Sequence, residues 1–536
     1  MKRIRYTFNR SAIIALLAAA MLSTSSCSKY TELEPINSPS ENSAFQSPSS
    51  IELAMQGVYE AAAVGSYNGD KASARGYPFG AAAIEQDEMR GEDMLNVALF
   101  YAITYEGTYT TSSANNVNMW TGLYALINQA NVMIRGVQAA AANGVITAEA
   151  AAAYEGEARF LRALAHHELL IHFSFPYADN NGSKSGIPYR EKAITSQADV
   201  TEGLSVGRGT VAEAYTKLLT DLDYAEANLP VTQPKGLSRA TKGAAIAIKT
   251  RIKQHMGDWD GVIAEGAKLG TDKQPATHFT SPIGGYTLTA SPEGPFTSFK
   301  NNTESVFSIA NGPNANGGTN GALAAMFGPA DKGARGLVAT SPILYNAAFW
   351  VEGDLRRKLL QVNQVVGEKY AFNYKYRDYV NKTDYAPIIR YAEVLLNVAE
   401  AYAKKGNTAQ ALLLLNDVRN RSVPVDKQFT TAPADLTLAI LQERRIEFAG
   451  EGRRWPDIHR LALDATYGTK GIPAKMKIGQ MKLDGSDYNN ITPPTFPATG
   501  GVIAYPYTDY RFLWPIPADE VAANPLLRDQ QNEGYK

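Results

Sequence analysis

The densest group of potentially reactive side chains in this sequence is the run EQDEMRGEDM, which begins at Glu85 and contains Arg90. Its five carboxyl groups belong to Glu85, Asp87, Glu88, Glu92 and Asp93. Two carboxyl groups at a set separation could hydrolyse a glycosidic bond. Carboxylates also contact sugar hydroxyls, bind calcium or have a structural role such as capping a helix. These four roles stay open from the sequence, and we treat Asp87 and Arg90 as candidates for ligand contact.

The histidines show no pattern that would bind a metal ion. The segment HELLIH resembles the zinc-protease pattern His-Glu-x-x-His, but His167 and His172 are five residues apart. Five residues turn a helix so that the two side chains point about 140° apart, and they cannot grip one ion. The remaining histidines have no ligand spacing either: His166, His255, His278 and His459. We therefore predict no metal and no cofactor.

Other catalytic motifs are also missing from the sequence. The glycine-rich run NGPNANGGTNG, which begins at Asn311, lacks the Gly-Lys-Ser/Thr of a phosphate loop. No Gly-x-Ser-x-Gly nucleophile motif occurs in the chain. Because no motif has catalytic spacing, the prediction is that this protein is not an enzyme.

The only cysteine, Cys27, follows a segment typical of an export signal. Residues 2–10 include four basic side chains, residues 12–22 are all apolar, and residues 23–26 are small. This pattern is that of a secretory signal peptide. A cysteine directly after the small residues resembles a bacterial lipobox, although Thr24 stands where leucine is usual. We predict a signal peptide at residues 1–26 and lipidation of Cys27, by acyl chains such as palmitate; a plain signal peptide with an unmodified cysteine is the alternative.

Composition excludes several classes of protein. With 52 Lys and Arg against 53 Asp and Glu, the chain is nearly neutral and lacks the basic face that nucleic acid requires. Without cysteines after Cys27, the folded part cannot be a disulfide scaffold. No later segment is apolar enough to span a membrane. The polar, proline-bearing residues 27–50 read as a tether between a lipid anchor and a fold at 51–536.

The folded part alternates between helical segments and long loops. Helical patterns dominate residues 119–270 and 386–465. In the latter, apolar residues recur every three or four positions, Gly406 ends one helix and Thr408 can cap the next. The resulting helix pair is similar to a tetratricopeptide unit, and the segment around Gly257 repeats its layout. Segments rich in Gly, Pro, Asn and Tyr fill residues 64–118 and 271–350. The prediction is a mainly α fold with tetratricopeptide-like helix pairs and long loop insertions.

A second charge-rich segment, ERRIEFAGEGRRWPDIHR, begins at Glu443. It could be a solvent-exposed helix face. The segment ends in Trp455 and Pro456 after a Gly-Glu-Gly break, which is unusual for an exposed face. This favours partly buried, paired charges that hold the helix against its neighbours. Such pairs set geometry more than they add stability.

Several segments in order resemble the SusD/RagB family of outer-membrane nutrient-binding lipoproteins. The most specific are GEARFLRALAHHELL, IIRYAEVLLNVAEAYAKKGN, ERRIEFAGEGRRWPDIHR and LWPIPADEVAANPLL, and together they span nearly the whole mature chain. The sequence departs from the family pattern at Pro456, where an aromatic residue is common, and at Glu533, which replaces a proline. Both positions are structural, so the departures concern local packing.

The resemblance implies a SusD-like fold and a function. Such a protein would be lipid-anchored to the outer membrane, face the cell exterior and bind a glycan. It would deliver that glycan to a SusC-like TonB-dependent transporter without hydrolysing it. A peptide-binding subunit of a RagB-like uptake system is the alternative, followed by a glycoside hydrolase.

Sugar sites need exposed aromatic rings with polar groups at the edges. The family places its site on loops of the two regions 64–118 and 271–350. Aromatic residues in these loops include the segment from Phe100 through Tyr109. The candidate ligand-binding residues are Tyr67, Arg75, Tyr77, Phe79, Asp87, Arg90, Tyr101, Tyr286, Phe296, Asn314 and Trp350. For each of these a purely structural role is the competing interpretation.

Overall fold

A computed structural model describes residues 41–65, 75–364, 367, 369–482, 484–489 and 500–536. The predicted signal peptide, Cys27, most of the tether and Tyr67 lie outside these described residues. The proposed boundaries at 26, 50 and 51 therefore stay predictions.

Helices dominate the described part of the chain, as predicted, and the strands are few and short. In chain order the helices are α1 Glu41–Ala44, α2 Pro48–Ala63, α3 Ala81–Met89, α4 Ala102–Tyr105, α5 Ala114–Ala142, α6 Ala148–Phe173, α7 Gln197–Gly203, α8 Val211–Asn228, α9 Lys242–Met256, α10 Trp259–Lys268, α11 Gly294–Thr297, α12 Leu323–Phe327, α13 Pro342–Tyr345, α14 Leu355–Leu359, α15 Tyr391–Lys404, α16 Thr408–Asn420, α17 Leu436–Glu447, α18 Arg454–Arg460, α19 Ala518–Ala523 and α20 Pro525–Asp529. The strands are β1 Met94–Asn96, β2 Ser305–Ile309, β3 Val338–Thr340, β4 Gln361–Asn363, β5 Ala371–Asn373, β6 Ala386–Arg390, β7 Gly471–Ile472 and β8 Tyr505–Pro506.

The long helices form one layer in which spatial order follows chain order. Helix α5 packs on α6, α6 on α8, α8 on α9, α9 on α10, α10 on α15 and α15 on α16. A single cluster of buried apolar side chains runs through this layer, from Ile51 to Leu527. The helices are joined in pairs by short turns, which confirms the predicted helix-pair scaffold.

Two of these pairs use the same turn. Gly257 and Gly406 both adopt positive φ angles, of 71° and 80°, as expected for residues that end a helix in the left-handed conformation. The next residue, Asp258 or Asn407, then accepts a backbone hydrogen bond from the first turn of the following helix. The second pair therefore repeats the first, as the sequence indicates. Thr408 is not the cap, because Asn407 one position earlier takes that role.

The strands form four separate antiparallel pairs among the described residues: β1 with β3, β2 with β6, β4 with β5 and β7 with β8. Three of these pairs join segments that are far apart in sequence. In the first, Met94 lies opposite Thr340, which ties the early loop region to the long insertion. These small sheets fasten the loops to the helical layer. Within the described residues, no helix has both the length and the apolar character needed to cross a bilayer.

The charge-rich segment from Glu443 is buried, as the sequence favours. Glu443, Arg444, Glu447 and Glu451 each expose less than 5% of their surface. Arg444 pairs with Asp457, and its Nε lies 2.9 Å from Asp457 Oδ2. The segment thus fixes α17 and α18 within the core.

Candidate functional site

Most of the aromatic rings proposed as ligand platforms are core residues. Each exposes at most 8% of its surface; they are Tyr77, Phe79, Tyr101, Tyr286, Phe296 and Trp350. The prediction that these rings project from loops is therefore wrong. The loops that carry them fold back onto the helices and onto each other, and the rings supply the apolar contacts that hold them there.

Phe296 and Trp350 illustrate the reason. The Phe296 ring lies beneath the cations of Lys375 and Arg390, at 5.1 and 5.3 Å from its centroid. Trp350 packs against Tyr345 with 5.7 Å between ring centroids. Both rings therefore secure the long insertion.

Asp87 and Arg90 are buried as well, so their proposed contact with a ligand has no support in the structure. The Arg90 guanidinium lies 3.4 Å from the centre of the Trp455 ring and donates a hydrogen bond to the Phe512 carbonyl oxygen. These contacts tie the end of α3 to α18 and to the C-terminal segment. The role of Arg90 is structural.

The rest of the acidic run pairs with the charge-rich segment. Glu92 binds Arg454, with 2.6 Å between carboxylate and guanidinium, and Arg445 contacts both Glu92 and Asp93. Burial alone would raise the pKa of Glu92, but the charges of Arg454 and Arg445 outweigh it and lower that pKa to about 2. Of the four roles left open by the sequence, the structural one is supported by these contacts, in the form of internal ion pairs.

One buried group has the residue types of a metal site. Potential ligand atoms of Asp87, Glu168 and His172 lie within 4.8 Å of one another. His172 Nε2 is 3.1 Å from Asp87 Oδ1. Burial raises the pKa of Asp87 to about 7, although the charges of three neighbouring arginines act in the opposite direction. His167 is not part of this group, and instead packs edge-on against His255 at 4.8 Å.

The two loop regions predicted to carry the site do meet at one place. Gly76 has a φ of +82°, and a Cβ atom there would lie 2.6 Å from the Gly321 carbonyl oxygen. A Cβ atom on Gly321 would lie 2.4 Å from the Arg75 carbonyl carbon. Only glycine at both positions lets the two backbones approach so closely. This contact brings Arg75 next to the short 3₁₀ helix Gly318–Asn320.

Around this contact lies an exposed patch, which we call the Phe100 surface and define by Arg75, Leu99, Phe100, Asn320 and Arg335. Leu99 exposes 88% of its surface, and the Phe100 ring is half-buried beside it. Guanidinium carbons of Arg335 and Arg75 lie 4.8 and 5.6 Å from the Phe100 ring centroid. Apolar surface framed by hydrogen-bond donors is the composition that sugar sites require.

Hydrogen bonds hold the side chains and loops of this surface in place. Arg335 Nη1 donates to Asn320 Oδ1 at 2.7 Å. Its backbone N–H donates to Ala325 at the middle of α12. Asn316 closes the glycine-rich loop through a 2.8 Å bond to the Gly312 carbonyl oxygen. Asn314, on the same loop, is exposed. The donors at the rim are therefore fixed before any ligand arrives.

Beneath the Phe100 surface lies Glu85, whose carboxyl group is completely buried. Burial raises the pKa of Glu85 to about 8, although the Tyr101 hydroxyl and the charge of Arg335 both act to lower it. At neutral pH this carboxyl group is therefore mostly protonated. It contributes little negative charge to the surface above it.

The Phe100 surface lies in the loops named from the sequence, but most of its residues are not among the predicted candidates. Of the candidate ligand residues in the described chain, only Arg75 and Asn314 are exposed. Phe100 lies in the aromatic segment that was recognised, whereas Leu99, Asn320 and Arg335 carried no signal of their own. The glycines on either side of Asn320 and Arg335 are the only hint in the sequence that these side chains sit at tight turns.

Two further cavities open at the surface. One, of about 310 Å³, lies between α5 and the segment 187–204 and is bordered by Trp120, Tyr124 and Glu520. The other, of about 530 Å³, is bordered by Tyr286 and Thr241, whose hydroxyl oxygens are 3.0 Å apart. Neither joins the two loop regions that meet at the Phe100 surface.

Comparison with known proteins shows what this chain is similar to. The family described as "SusD family" matches residues 363–535, and the one described as "Starch-binding associating with outer membrane" matches residues 34–253. The chain is SusD-like over both of these segments. The resemblance read from the sequence motifs is thereby confirmed.

Individual SusD relatives match over almost their full lengths. SusD-like protein P25 of Formosa agariphila is 23% identical, over 95% of this chain and 97% of the relative. A SusD superfamily protein of Bacteroides fragilis has a solved structure with a TM-score of 0.72 and 26% identity, covering 90% of this chain and 99% of that one. A SusD-like carbohydrate binding protein of Bacteroides vulgatus gives a TM-score of 0.69 at 19% identity, over 91% and 99% of the two chains. The mainly helical fold of this chain is the SusD fold.

Proposed function

We propose that this SusD-like protein binds a carbohydrate at the Phe100 surface and does not hydrolyse it. The observation that carries the proposal is the convergence of two loop regions on one exposed patch. That patch offers apolar surface from Leu99 and Phe100 and fixed donors from Arg75 and Arg335. The family description, which includes starch binding at the outer membrane, agrees with it.

The buried position of the acidic run supports a binding role over catalysis. A glycosidase needs two carboxyl groups that flank an accessible glycosidic bond. Glu85 and Asp87 expose 0% and 4% of their surfaces, so a sugar chain on the Phe100 surface could not reach them without a rearrangement of α3. We infer that a bound oligosaccharide is released with its glycosidic bonds unbroken.

Calorimetric titration with a panel of oligosaccharides, followed by chromatography of the recovered sugar, tests both parts of this proposal. The expected result is saturable binding of at least one oligosaccharide, with its chain length unchanged after long incubation. Saturable binding of peptides alone would favour the peptide-uptake alternative. New reducing ends that disappear in the Glu85→Gln variant would contradict the binding-only role.

The proposed location and partner follow from the family. We infer that lipidated Cys27 holds the protein on the outer membrane, facing the exterior, and that a SusC-like TonB-dependent transporter receives the sugar. Mild detergent extraction of cells that express a tagged version tests the partnership. We expect a transporter of that type to co-purify in constant ratio with the protein. Its absence from crosslinked and uncrosslinked preparations alike would contradict the partnership.

A further inference from the structure

The described loops around the Phe100 surface are basic, although the whole chain is nearly neutral. Residues 75–80, 97–104, 311–321 and 330–336 contain three basic side chains and one acidic side chain. The basic ones are Arg75, Lys332 and Arg335, and the acidic one is Asp331. Elsewhere the numbers of acidic and basic residues almost cancel, so positive charge is concentrated where a ligand would dock.

The two arginines at the Phe100 ring differ from those of the core in their partners. Within the described residues, no carboxylate forms an ion pair with Arg75 or Arg335. Arg335 bonds instead to the neutral side-chain oxygen of Asn320, 2.7 Å away. The carboxyl group beneath them, Glu85, is mostly neutral at pH 7 because burial raises its pKa to about 8. Two guanidinium groups thus share one ring with no compensating negative charge.

Geometry also favours an anion at this place. A guanidinium that packs on an aromatic ring keeps its N–H edge free for bidentate contact with a carboxylate or an oxyanion. The bond to Asn320 fixes the orientation of the Arg335 edge, and the Gly76–Gly321 contact fixes the backbone of Arg75. An anionic group that contacts these guanidinium groups would offset their positive charge, which a neutral sugar cannot do.

We propose that the Phe100 surface selects acidic carbohydrates, with Arg75 and Arg335 binding a carboxylate or sulfate group carried by a sugar ring. This inference rests on the proposed carbohydrate-binding function and specifies its ligand class. Phe100 and Leu99 contact the apolar face of the sugar, and the two guanidinium groups bind its anionic substituent. Asn320 is a positioning residue, because it acts through Arg335.

Matched pairs of oligosaccharides test the selection. The first pair is oligogalacturonate and the same oligosaccharide with its carboxyl groups methyl-esterified. The second is a sulfated galactan oligosaccharide and its desulfated form, which separates a sulfate preference from a carboxylate preference. We expect the acidic member of at least one pair to bind at least tenfold more tightly at low salt, with the advantage shrinking as salt screens the charges.

Single substitutions assign the effect to residues. Arg335→Gln and Arg75→Gln should each lower affinity for the acidic oligosaccharide about tenfold more than they lower affinity for its neutral counterpart. Lys332→Gln is the control, because it removes one positive charge from the same loop but its ammonium group lies over Tyr374 and not Phe100. It should change neither affinity more than twofold. Melting temperatures of all three variants verify that they fold.

The outcomes separate this inference from the proposed function. If neutral and acidic members bind equally and both arginine variants weaken them alike, the protein binds carbohydrate but does not select for charge. If Lys332→Gln and Arg335→Gln lower affinity for the acidic oligosaccharide equally, the ligand is attracted only by the overall positive charge of these loops. That result would also overturn the inference. If no carbohydrate of either kind binds, the proposed function itself fails.

Discussion

Arginine side chains have different kinds of partner in the core of this protein and at the Phe100 surface. In the core, Arg390 is fully buried and pairs with Glu304, Glu447 and Glu451. At the Phe100 surface, Arg335 is half-exposed, rests on an aromatic ring and bonds only to a neutral amide among the described residues. The first arrangement satisfies the charge inside the protein, and the second leaves it available to a ligand.

The difference follows from the cost of burying charge. A guanidinium buried without partners would be strongly destabilising, so Arg390 needs its carboxylates, and Arg90 is held instead by the Trp455 ring and the Phe512 carbonyl oxygen. A guanidinium at the surface stays partly hydrated and can bind a partner from outside. In this protein, burial and partners together therefore separate a structural arginine from one that is available to a ligand.

The largest expected effect tests the core side of the comparison. Glu447 binds Arg421, Arg390 and Arg356 at 2.7, 3.0 and 3.0 Å. Burial alone would raise the pKa of Glu447, but these three charges lower it, so the group is ionised in the fold. Glu447→Ala should cost about 3–5 kcal/mol of unfolding free energy, because it leaves buried arginines undercompensated.

Urea denaturation of purified protein measures this loss, with Glu533→Ala as the control. Glu533 also forms an ion pair, but an exposed one, with Lys536 at 3.4 Å. Its loss should change the unfolding free energy by less than about 0.5 kcal/mol. Affinity of the folded Glu447→Ala protein for oligosaccharide should equal that of the wild type. Normal stability with lost binding would place α17 in the site and not in the scaffold.

A second prediction concerns Glu85, which lies between the two regions. The folded chain holds this proton up to about pH 8, whereas the unfolded chain releases it near pH 4.5. Stability contributed by the neutral carboxyl group is therefore present at low pH and is lost as pH rises through this window. Glutamine cannot ionise, so Glu85→Gln should gain stability relative to wild type as pH increases from 5 to 8, by at most about 1.4 kcal/mol per pH unit.

Unfolding free energies at pH 5, 6.5 and 8 check the sign of this effect. If the difference between Glu85→Gln and wild type does not vary with pH, the Glu85 carboxyl group is ionised in the fold. In that case the negative charge of Glu85 would partly cancel the positive charge of the Phe100 surface.

A smaller effect is expected on the surface side. Phe100→Ala should weaken oligosaccharide binding by about 1–3 kcal/mol, by analogy with stacking on aromatic rings, which is roughly tenfold to a hundredfold in affinity. Phe429→Ala is a matched control, because Phe429 is also half-buried with a guanidinium over its ring, that of Arg419 at 4.5 Å, but lies in the connection between α16 and α17. Calorimetry should show unchanged affinity for Phe429→Ala. Equal losses in both variants would assign the effect to destabilisation.

The smallest expected effect on ligand affinity is that of Cys27→Ser, which should be none. Cys27 precedes the described fold, so the soluble variant should bind the same sugar with the same affinity. Its location should change completely, from the membrane to the soluble fraction, because several acyl chains hold a protein stably on a bilayer. Mass spectrometry of the native N-terminus should show an acylated cysteine, and an unmodified Cys27 would contradict the anchor.

Much of the scaffold could be predicted because its signals are local. Periodic apolar residues, the left-handed turns at Gly257 and Gly406 and the charge density near Glu443 all depend on residues close together in sequence. Even here a detail was wrong, since Asn407 caps α16 in place of Thr408. Two side chains of similar capping propensity, one position apart, could not be separated by their residue types alone.

The exposed patch lies in the loops named from the sequence but mostly on other residues, because exposure depends on distant contacts. Phe296 is covered by Lys375 and Arg390, and Tyr77 packs against α5 near Gly122. The Phe100 surface exists only because Gly76 meets Gly321 across a long separation in the chain. Neither the burial of Phe296 and Tyr77 nor the assembly of the Phe100 surface produces a periodic or local pattern in the sequence.

A crystal structure of the protein with the tightest-binding oligosaccharide of the panel tests the central claim most directly. The account predicts a sugar ring in contact with Phe100 and within hydrogen-bond distance of Arg335, with α3 undisturbed and the glycosidic bonds intact. A sugar bound only in the cavity beside Trp120 and Glu520, with the Phe100 surface empty, would contradict the account.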